Sequence, residues 1–168
     1  MSLPQPLNLI SNMVAEINQR FPVLDDNIVM VGIHTGGAWI AQQLFKQLSL
    51  STELGLLDIS FYRDDFSQKG LHPKVKSSEL PDIEGKTIIL VDDVIMSGRT
   101  IRAAMNELFD YGRPEKIVLA CLIDVGQREL PIQVDIIGEA ISRPKHQRIK
   151  LSGPEPLSLS IVTLEKNI

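Results

Sequence analysis

The chain has 168 residues, of which 43% are hydrophobic, so it is long enough and apolar enough to bury a substantial core. Its 17 basic and 21 acidic residues give a formal net charge of -4, which excludes a general electrostatic attraction to nucleic acid. No apolar segment of about 18 residues and no signal-peptide pattern is found. We therefore expect a single domain, residues 1–168, that is cytoplasmic and has no membrane partner.

The first third of the chain predicts a helix, a strand and a second helix. Apolar residues recur at helical spacing from Ile10 to Ile17, and Phe21-Pro22 ends the pattern. Residues 28–33 are typical of a buried strand. A tight glycine loop is predicted next, formed by His34, Thr35, Gly36 and Gly37. The helix after it has an inner face of Ala41, Leu44, Phe45 and Leu48.

A strand and a long polar segment come next. Residues 54–62 alternate in part and predict a strand. From Arg63 to about Gly85 there is little periodicity, and glycine and proline interrupt the segment. Because a long loop in a compact domain is usually functional or mobile, we expect a flexible lid over a reactive centre. A merely solvated surface loop is the alternative.

Residues 88–100 combine an aliphatic run, two acidic residues and a loop of small residues in one short stretch. Residues 88–91 form an aliphatic run that suits a strand buried on both faces of a parallel sheet, and the strand is predicted to stop at Asp92 and Asp93. A small, largely hydroxylated loop follows, made of Met96, Ser97, Gly98, Arg99 and Thr100. From Thr100 the pattern is helical. The first turn of a helix has unpaired N–H groups and the positive end of the dipole, so this loop is predicted to bind a phosphate.

The two carboxylates restrict which phosphorylated ligands can bind beside the loop. Successive strand residues point to opposite faces, so we expect only one of Asp92 and Asp93 to face straight into the crevice. A carboxylate near a phosphate is unfavourable unless it accepts hydrogen bonds from sugar hydroxyls or meets a magnesium ion. The combination predicts a phosphorylated sugar. An ordinary strand–turn–helix connection, with Ser97 or Thr100 as the helix N-cap, is the alternative interpretation.

The remaining elements complete an alternating α/β pattern. The helix after residue 100 should end near Tyr111, and residues 116–123 predict a buried strand in which Cys121 is core rather than a nucleophile. This strand delivers residues 124–131 to the sheet edge that carries both glycine loops. Short strands are predicted at residues 135–138 and, as an edge strand, at 159–164.

The basic residues cluster at one place in the chain. The cluster consists of Arg143, Lys145, His146, Arg148 and Lys150. We interpret it as the solvated face of a strand, with a nucleic-acid contact as the alternative.

Residues 88–100 resemble the signature of the type I phosphoribosyltransferases, whose two acids and small-residue loop bind 5-phosphoribosyl-1-pyrophosphate (PRPP). Longer segments between about residues 28 and 150 resemble the PyrR family more narrowly. They are Val-Gly-Ile-His-Thr at 31–35, Ser-Phe-Tyr-Arg-Asp-Asp at 60–65, Val-Asp-Asp-Val at 91–94, Ser-Gly-Arg-Thr-Ile-Arg-Ala-Ala at 97–104, Gly-Arg-Pro at 112–114 and Arg-Glu-Leu-Pro-Ile at 128–132. That family combines uracil phosphoribosyltransferase activity with regulation of the pyrimidine operon.

The resemblance implies a fold and a set of ligands. The fold would be the α/β type I phosphoribosyltransferase fold, a central and mostly parallel sheet flanked by helices, with a small hood over the base and a flexible lid loop. The cofactor would be magnesium (Mg2+), the substrates PRPP and uracil, and UMP the product or an effector. A homodimer or higher homo-oligomer is implied, and leader RNA is a further implied partner.

The resemblance also implies roles for individual residues. Asp92, Asp93 and Arg63 would be catalytic, and the two acids would bind the ribose hydroxyls and Mg2+, one of them through metal-bound water. The 5'-phosphate would be held by Met96, Ser97, Gly98, Arg99 and Thr100. The pyrophosphate would be held by His34, Thr35, Gly36 and Gly37. Uracil would lie near Ile95, Val125, Gly126 and Arg128.

Two segments depart from the family pattern. His34-Thr35-Gly36-Gly37 stands where the family has a loop resembling Lys-Thr-Arg-Gly, and Val125 and Gln127 replace an Arg and a His. Both changes remove basic groups, and the first 19 residues contain no Lys or Arg. The sequence therefore favours catalysis over RNA regulation. The alternatives are a UMP-sensing RNA-binding regulator with little catalysis and a phosphoribosyltransferase for another nucleobase.

Overall fold

The computed structural model describes residues 2–60 and 78–164. In chain order the helices and strands are α1 (Pro6–Arg20), β1 (Ile28–Ile33), α2 (Gly36–Gln47), β2 (Gly55–Leu57), β3 (Thr87–Ile95), α3 (Arg99–Tyr111), β4 (Lys116–Asp124), β5 (Ile136–Ala140), β6 (Gln147–Ser152) and β7 (Ser158–Thr163). Arg63 and most of the expected lid lie outside the described residues. The lid therefore stays a prediction. The single-domain organisation also stays a prediction.

Five parallel strands form the central sheet in the order β2-β1-β3-β4-β5. All of β1 and the middle of β3 and β4 are buried, which is why these strands are continuously apolar in sequence instead of alternating. The apolar side chains form two core clusters, one against α1 and α2 and the other against α3. The predicted α/β class, with a central parallel sheet flanked by helices, is confirmed.

β6 and β7 form an antiparallel hairpin that is separate from the central sheet. Along β6 the residues alternate: Ile149 and Leu151 are buried against the core cluster of α1 and α2, whereas Arg148 and Lys150 are exposed. This hairpin is the small hood that the fold class requires. The predicted strand at residues 159–164 is present, but it pairs with β6 and is not an edge strand of the central sheet.

The prediction of a strand over residues 54–62 is wrong in its length, since β2 covers three residues, Gly55–Leu57. Asp58 turns the chain after it, because its buried carboxylate accepts hydrogen bonds from both the N–H and the hydroxyl of Ser60. The N–H of Asp58 donates to the Ser78 hydroxyl at 3.0 Å instead of to a neighbouring strand. Local side-chain hydrogen bonding thus ends β2 where sequence alternation would have continued it.

Gly32 of β1 allows α2 to approach the sheet closely. A Cβ atom at this position would lie 2.7 Å from the Cβ of Ala41 and 2.9 Å from the Cα of Ala38. Both separations are shorter than van der Waals contact, and the Cα of Ala38 cannot move without moving the helix. Because α2 begins at Gly36, this contact determines where the start of the helix lies at the carboxyl edge of the sheet.

Replacement of Gly32 by alanine is expected to push the first turns of α2 away from β1. The free energy of unfolding should fall by about 1–3 kcal/mol, the usual cost of overpacking a dense interior, as measured by urea unfolding at pH 7. The control Ala140→Val enlarges a side chain at the exposed end of β5 and should change that free energy by less than about 0.5 kcal/mol. Equal stabilities of wild type and Gly32→Ala would contradict the close approach.

Candidate active site

β3 continues past its neighbour β1 at the carboxyl edge of the sheet. The last pair between the two strands is Gly32 with Val91, whereas β3 stays paired with β4 as far as Ile95. The prediction that the strand stops at the acids is therefore wrong, because Asp92 and Asp93 lie inside β3. In the described part of the chain no strand pairs with β3 beyond Val91 on the β1 side, which leaves room for polar side chains. Each carboxylate accepts the N–H of the following residue at 2.9 Å.

The start of α2 lies directly against the two carboxylates. A Cβ atom at Gly37 would be 2.5 Å from the Val91 carbonyl oxygen and 2.9 Å from the Cα of Asp92. A Cβ atom at Gly36 would overlap the Asp93 carboxylate. Both positions therefore require glycine, because a Cβ atom would overlap atoms of β3. They are the first residues of α2 and not part of a tight loop before it, as was predicted.

Residues 96–100 connect β3 to α3 and include the first two residues of the helix, so they present backbone N–H groups at a helix N-terminus; because this segment is predicted to bind a phosphate, we call it the phosphate loop. Its N-cap is Gly98, with a φ of 89° that favours glycine, so the interpretation of Ser97 or Thr100 as the N-cap residue is wrong. The Ser97 hydroxyl accepts the N–H of Arg99 at 3.2 Å. Among the described residues, the N–H groups of Thr100 and Ile101 have no acceptor. Such a turn is suited to an anion.

Residues 129 and 130 support the phosphate loop from behind. The Ser97 carbonyl accepts the N–H groups of Glu129 and Leu130 at 3.0 and 3.1 Å. Arg99 and Glu129 form an ion pair at 2.8 Å in which the side chains are 54% and 58% exposed, so it contributes little to stability. The pair does hold the Arg99 guanidinium at the rim of the loop.

Arg128 was predicted to lie near the base, and the structure gives its guanidinium other partners. It donates to both carboxylate oxygens of Asp124 at 2.9 and 2.7 Å, to the Met96 carbonyl at 3.1 Å and to the Ile132 carbonyl at 2.7 Å. These hydrogen bonds join the end of β4 to the start of the phosphate loop. Arg128 therefore positions the loop and does not reach the cavity described next.

A cavity of about 630 Å³ opens between the phosphate loop, the end of β3 and the hairpin β6–β7. Its volume is typical of a small-ligand site. The predicted site residues in its wall are Asp92, Asp93, Ile95, Met96, Ser97, Gly98, Arg99, Thr100 and Val125. Both acids line it, although only one was expected to face it, because the cavity extends around the open side of β3. Asp92 is 4% exposed, and Asp93 is half-buried.

Part of the cavity wall was not predicted from the sequence. It comes from β6 and from α3, with one residue each from the end of β3 and the segment after β2. The residues are Gln147, Arg148, Ile149, Lys150 and Leu151 of β6, Ile101, Arg102, Ala103 and Asn106 of α3, Val94 and Ile59. The alternation of polar and apolar residues along β6 is a signal for a strand. Nothing in the local sequence indicates that this strand folds back over the end of β3.

Some predicted site residues are not brought to this cavity. His34, Thr35, Gly36 and Gly37 do not line it, and Gly36 and Gly37 lie instead against Asp93 and Asp92 of β3. Gly126 is exposed, with a φ of 72°, and is also absent from the wall. Arg63 lies outside the described residues.

Known proteins are similar to this chain in sequence and in fold. The phosphoribosyl transferase domain family matches residues 3–148. The "Bifunctional protein PyrR" of Pseudomonas fluorescens is 53% identical over 169 residues, which cover 98% of this chain and 99% of the relative. This chain belongs to the PyrR family. The PyrR protein of Pseudomonas aeruginosa is 52% identical over 161 residues, 95% of each chain.

Solved structures give the same fold for this PyrR-family chain. A hypoxanthine phosphoribosyltransferase from Staphylococcus aureus matches with a TM-score of 0.67 at 19% identity, covering 96% of this chain and 88% of the other. A hypoxanthine-guanine phosphoribosyltransferase from Bacillus anthracis matches with a TM-score of 0.64 at 20% identity, covering 82% and 77%. At these identities the likeness concerns the fold, and the family match makes the chain a phosphoribosyltransferase. In the described part of the chain, no helix has the length and apolar character needed to cross a membrane.

The two carboxylates fit a magnesium ion that is shared with a substrate. Within residues 2–60 and 78–164, no group of three His, Cys, Asp or Glu side chains forms a metal site. Magnesium is commonly held by one or two carboxylates together with substrate oxygens and water. Asp92 and Asp93, in one cavity beside the phosphate loop, provide that donor set.

Cys121 belongs to the core of the PyrR-family fold. It pairs with Asp92 in the register of β3 and β4 and is fully buried. Burial, together with the negative charges of Asp92, Asp93 and Asp124, raises the pKa of the Cys121 thiol well above its ordinary value. Because the thiolate is the nucleophilic form, the prediction of a core residue is confirmed.

Asp124 depends on Arg128 for its charged state. Burial raises the pKa of Asp124, but hydrogen bonds from Arg128 and from the Gly126 N–H, with the Arg128 charge, outweigh burial and hold the pKa below its ordinary value. A carboxyl group with a lowered pKa stabilises the folded state above its unfolded-state pKa of about 3.9. That stabilisation is lost as the pH falls through the folded-state pKa.

Replacement of Arg128 by methionine is expected to leave the Asp124 carboxylate partly buried without its cation. The free energy of unfolding at pH 7 should fall by about 1–3 kcal/mol, the cost of an unsatisfied buried polar group. Urea unfolding between about pH 5 and pH 3 should show the difference from wild type shrinking as Asp124 is protonated in both proteins. A difference that does not change with pH would argue against this pair. The control Arg113→Met removes an exposed arginine that follows α3 and should change the free energy by less than about 0.5 kcal/mol.

Proposed function

We propose that this phosphoribosyltransferase transfers the phosphoribosyl group of PRPP to uracil, giving UMP and pyrophosphate. A bond forms between N1 of uracil and C1 of the ribose, and the bond between C1 and the pyrophosphate oxygen breaks. Pyrophosphate leaves with that electron pair, and the N1 proton passes to solvent. The observation that carries the proposal is the presence of a carboxylate pair and an anion-binding helix N-terminus in one cavity. The choice of uracil rests on the resemblance to the PyrR family.

The phosphate loop is proposed to hold the 5'-phosphate. The unpaired N–H groups of Thr100 and Ile101 can donate to phosphate oxygens, and the positive end of the α3 dipole favours the charge. The hydroxyls of Ser97 and Thr100 are further donors. Because Gly98 has no side chain, the backbone can approach the ligand closely.

Asp92 and Asp93 are proposed to bind the ribose hydroxyls and to stabilise the sugar as it becomes cationic. The positive charge develops at C1 when the bond to pyrophosphate breaks, and fixed carboxylates nearby stabilise it without reorganisation. With magnesium bound, held by these carboxylates and by substrate oxygens, the charge on the departing pyrophosphate is offset. The start of α2, at Gly36 and Gly37, is proposed to donate N–H groups to the pyrophosphate. A contribution from Arg63 stays a prediction.

Uracil is proposed to lie between the apolar side chains of Ile95 and Val125 and the hairpin. The N–H of Val125 already donates to the Ile95 carbonyl, and the N–H of Gly126 to the Asp124 carboxylate. The backbone groups near Ile95 and Val125 that can recognise uracil are therefore carbonyl groups, which accept a hydrogen bond from the N3–H of the base.

The direct test is to incubate the protein with PRPP, Mg2+ and each nucleobase separately and to identify the nucleotide by mass spectrometry. UMP formation with uracil, with pyrophosphate release, is the expected outcome. A nucleotide formed with another base but not with uracil would refute the base assignment and leave the transferase class intact. Absence of pyrophosphate release with every base would refute catalysis and favour a UMP-sensing regulator.

Regulation through leader RNA is the second candidate, favoured by the name "Bifunctional protein PyrR" of the relatives. The first 19 residues contain no Lys or Arg, and α1 ends on Arg20, whose guanidinium lies 3.7 Å from the Asp135 carboxylate. Binding to RNA with an affinity that falls steeply with salt would support this candidate. We also propose a cytoplasmic location and a homodimer or higher homo-oligomer, which size measurement in solution would test.

Replacement of Asp93 by asparagine is expected to lower kcat by roughly 10²–10³-fold, because the neutral amide cannot stabilise the cationic sugar or bind a metal ion. The unfolding free energy should change by less than about 1 kcal/mol, because the amide oxygen can still accept the Val94 N–H. Initial rates of pyrophosphate release and urea unfolding measure the two effects. The matched control Asp110→Asn, at the exposed far end of α3, should keep full activity. An active Asp93→Asn enzyme would refute the proposed role.

A further inference from the structure

Arg148 and Lys150 of β6 bring two positive charges to the cavity wall, and no ion pair within the described residues neutralises them. Both residues line the cavity and both are exposed. Neither side chain makes an ion pair or a hydrogen bond with any residue in 2–60 or 78–164. They lie two positions apart on one strand, so their side chains leave the same face of β6, with Cα atoms about 6.6 Å apart. Two neighbouring cations on a cavity wall favour a ligand that carries more than one negative charge.

The other cations in the cavity wall are on the opposite side. Arg99 and Arg102 belong to the first turn of α3, beside the phosphate loop, and Arg99 is already paired with Glu129. At the start of α2, residues 34–37 include neither Lys nor Arg. Any cationic side chain next to the start of α2 therefore comes from another part of the chain.

The path of β6 indicates which part of the ligand its cations can meet. Before the strand begins, the Arg143 carbonyl accepts a hydrogen bond of 2.6 Å from the side-chain amide of Gln127, on the loop after β4. Beyond its end, Gly153 lies against α2, since a Cβ atom there would be 2.9 Å from Cε3 of Trp39. β6 thus crosses the edge of the sheet from the β4 side to the α2 side. Lys150 lies toward the α2 end.

We propose that Arg148 and Lys150 bind the pyrophosphate group of PRPP, so that the hairpin supplies the charge that residues 34–37 lack. The inference rests on the proposed function, in which the pyrophosphate lies beside α2. Pyrophosphate is the most highly charged part of PRPP, the 5'-phosphate has the helix N-terminus of α3, and uracil is neutral. The two cations are therefore matched by charge to the leaving group, and Lys150 contacts it more closely than Arg148.

The test is calorimetric binding of PRPP, inorganic pyrophosphate and UMP, each with Mg2+, to wild type, Lys150→Gln, Arg148→Gln and the double variant. Each single variant should weaken PRPP and pyrophosphate binding by about 5- to 10-fold, and the double variant by about 50-fold. UMP has no pyrophosphate, so its Kd should stay within about twofold. The matched control Lys145→Gln removes an exposed cation that does not line the cavity, and it should bind all three ligands like wild type.

The remaining outcomes overturn the inference in distinguishable ways. If the variants bind PRPP and pyrophosphate as wild type does, the two residues are a solvated face. If UMP binding weakens as much as PRPP binding, the cations serve the nucleotide and not the leaving group. If the variants lose affinity for a leader RNA while PRPP binding is unchanged, the face belongs to RNA. If wild type itself binds neither PRPP nor pyrophosphate, the proposed function fails together with this inference.

Discussion

The unequal lengths of β1 and β3 control the arrangement of the site. β1 pairs with β3 as far as Val91, and β3 continues for four more residues with β4 as its one neighbouring strand. A parallel strand buried on both sides has no room for two carboxylates, because each would lose its hydration without a partner. The open side of β3 provides room for Asp92 and Asp93. The chain that leaves β1 turns into α2 next to them, and Gly36 and Gly37 let it come that close.

The phosphate loop is held in place by hydrogen bonds to a second loop. The Ser97 carbonyl accepts two N–H groups from residues 129 and 130, and the Met96 carbonyl accepts the Arg128 guanidinium. With its carbonyl groups fixed in this way, the N–H groups at the start of α3 have a defined direction before any ligand arrives. A site whose dipoles are oriented in advance needs no reorganisation when charge develops. The segment 128–132 therefore supports the backbone of the phosphate loop without lining the cavity itself.

The charges around the cavity are distributed in a way that the net charge of -4 does not reveal. Acidic side chains lie at the centre, on β3, and cationic side chains lie on α3 and β6. A phosphorylated sugar with a metal ion requires this separation, because its cationic centre and its phosphates occupy different places. The same β6 cations are part of the basic cluster at residues 143–150, so charge composition alone cannot separate a ligand site from an RNA-binding face.

The sequence by itself determined the location of the strands of the parallel sheet, the helix that follows the acids and the turn between them. These features follow from local physics: continuous apolar runs, helical spacing, and a glycine at the N-cap of α3. The assignments that had the right location and the wrong detail include the length of β2, the end of β3 and the first turn of α2. The last two depend on where a neighbouring strand stops, which no local pattern contains.

Tertiary structure alone decided which side chains surround the cavity. The hairpin β6–β7 lies more than 40 residues after the acids in sequence, and folding brings Ile149 and Lys150 beside them. Arg128 is next to the predicted base-binding residues in sequence, yet its hydrogen bonds turn it toward Asp124 and Met96. A side chain's function depends on what fills the space around it, and that space is formed by segments that are distant along the chain. Local sequence pattern determines the elements, and packing between them determines the site.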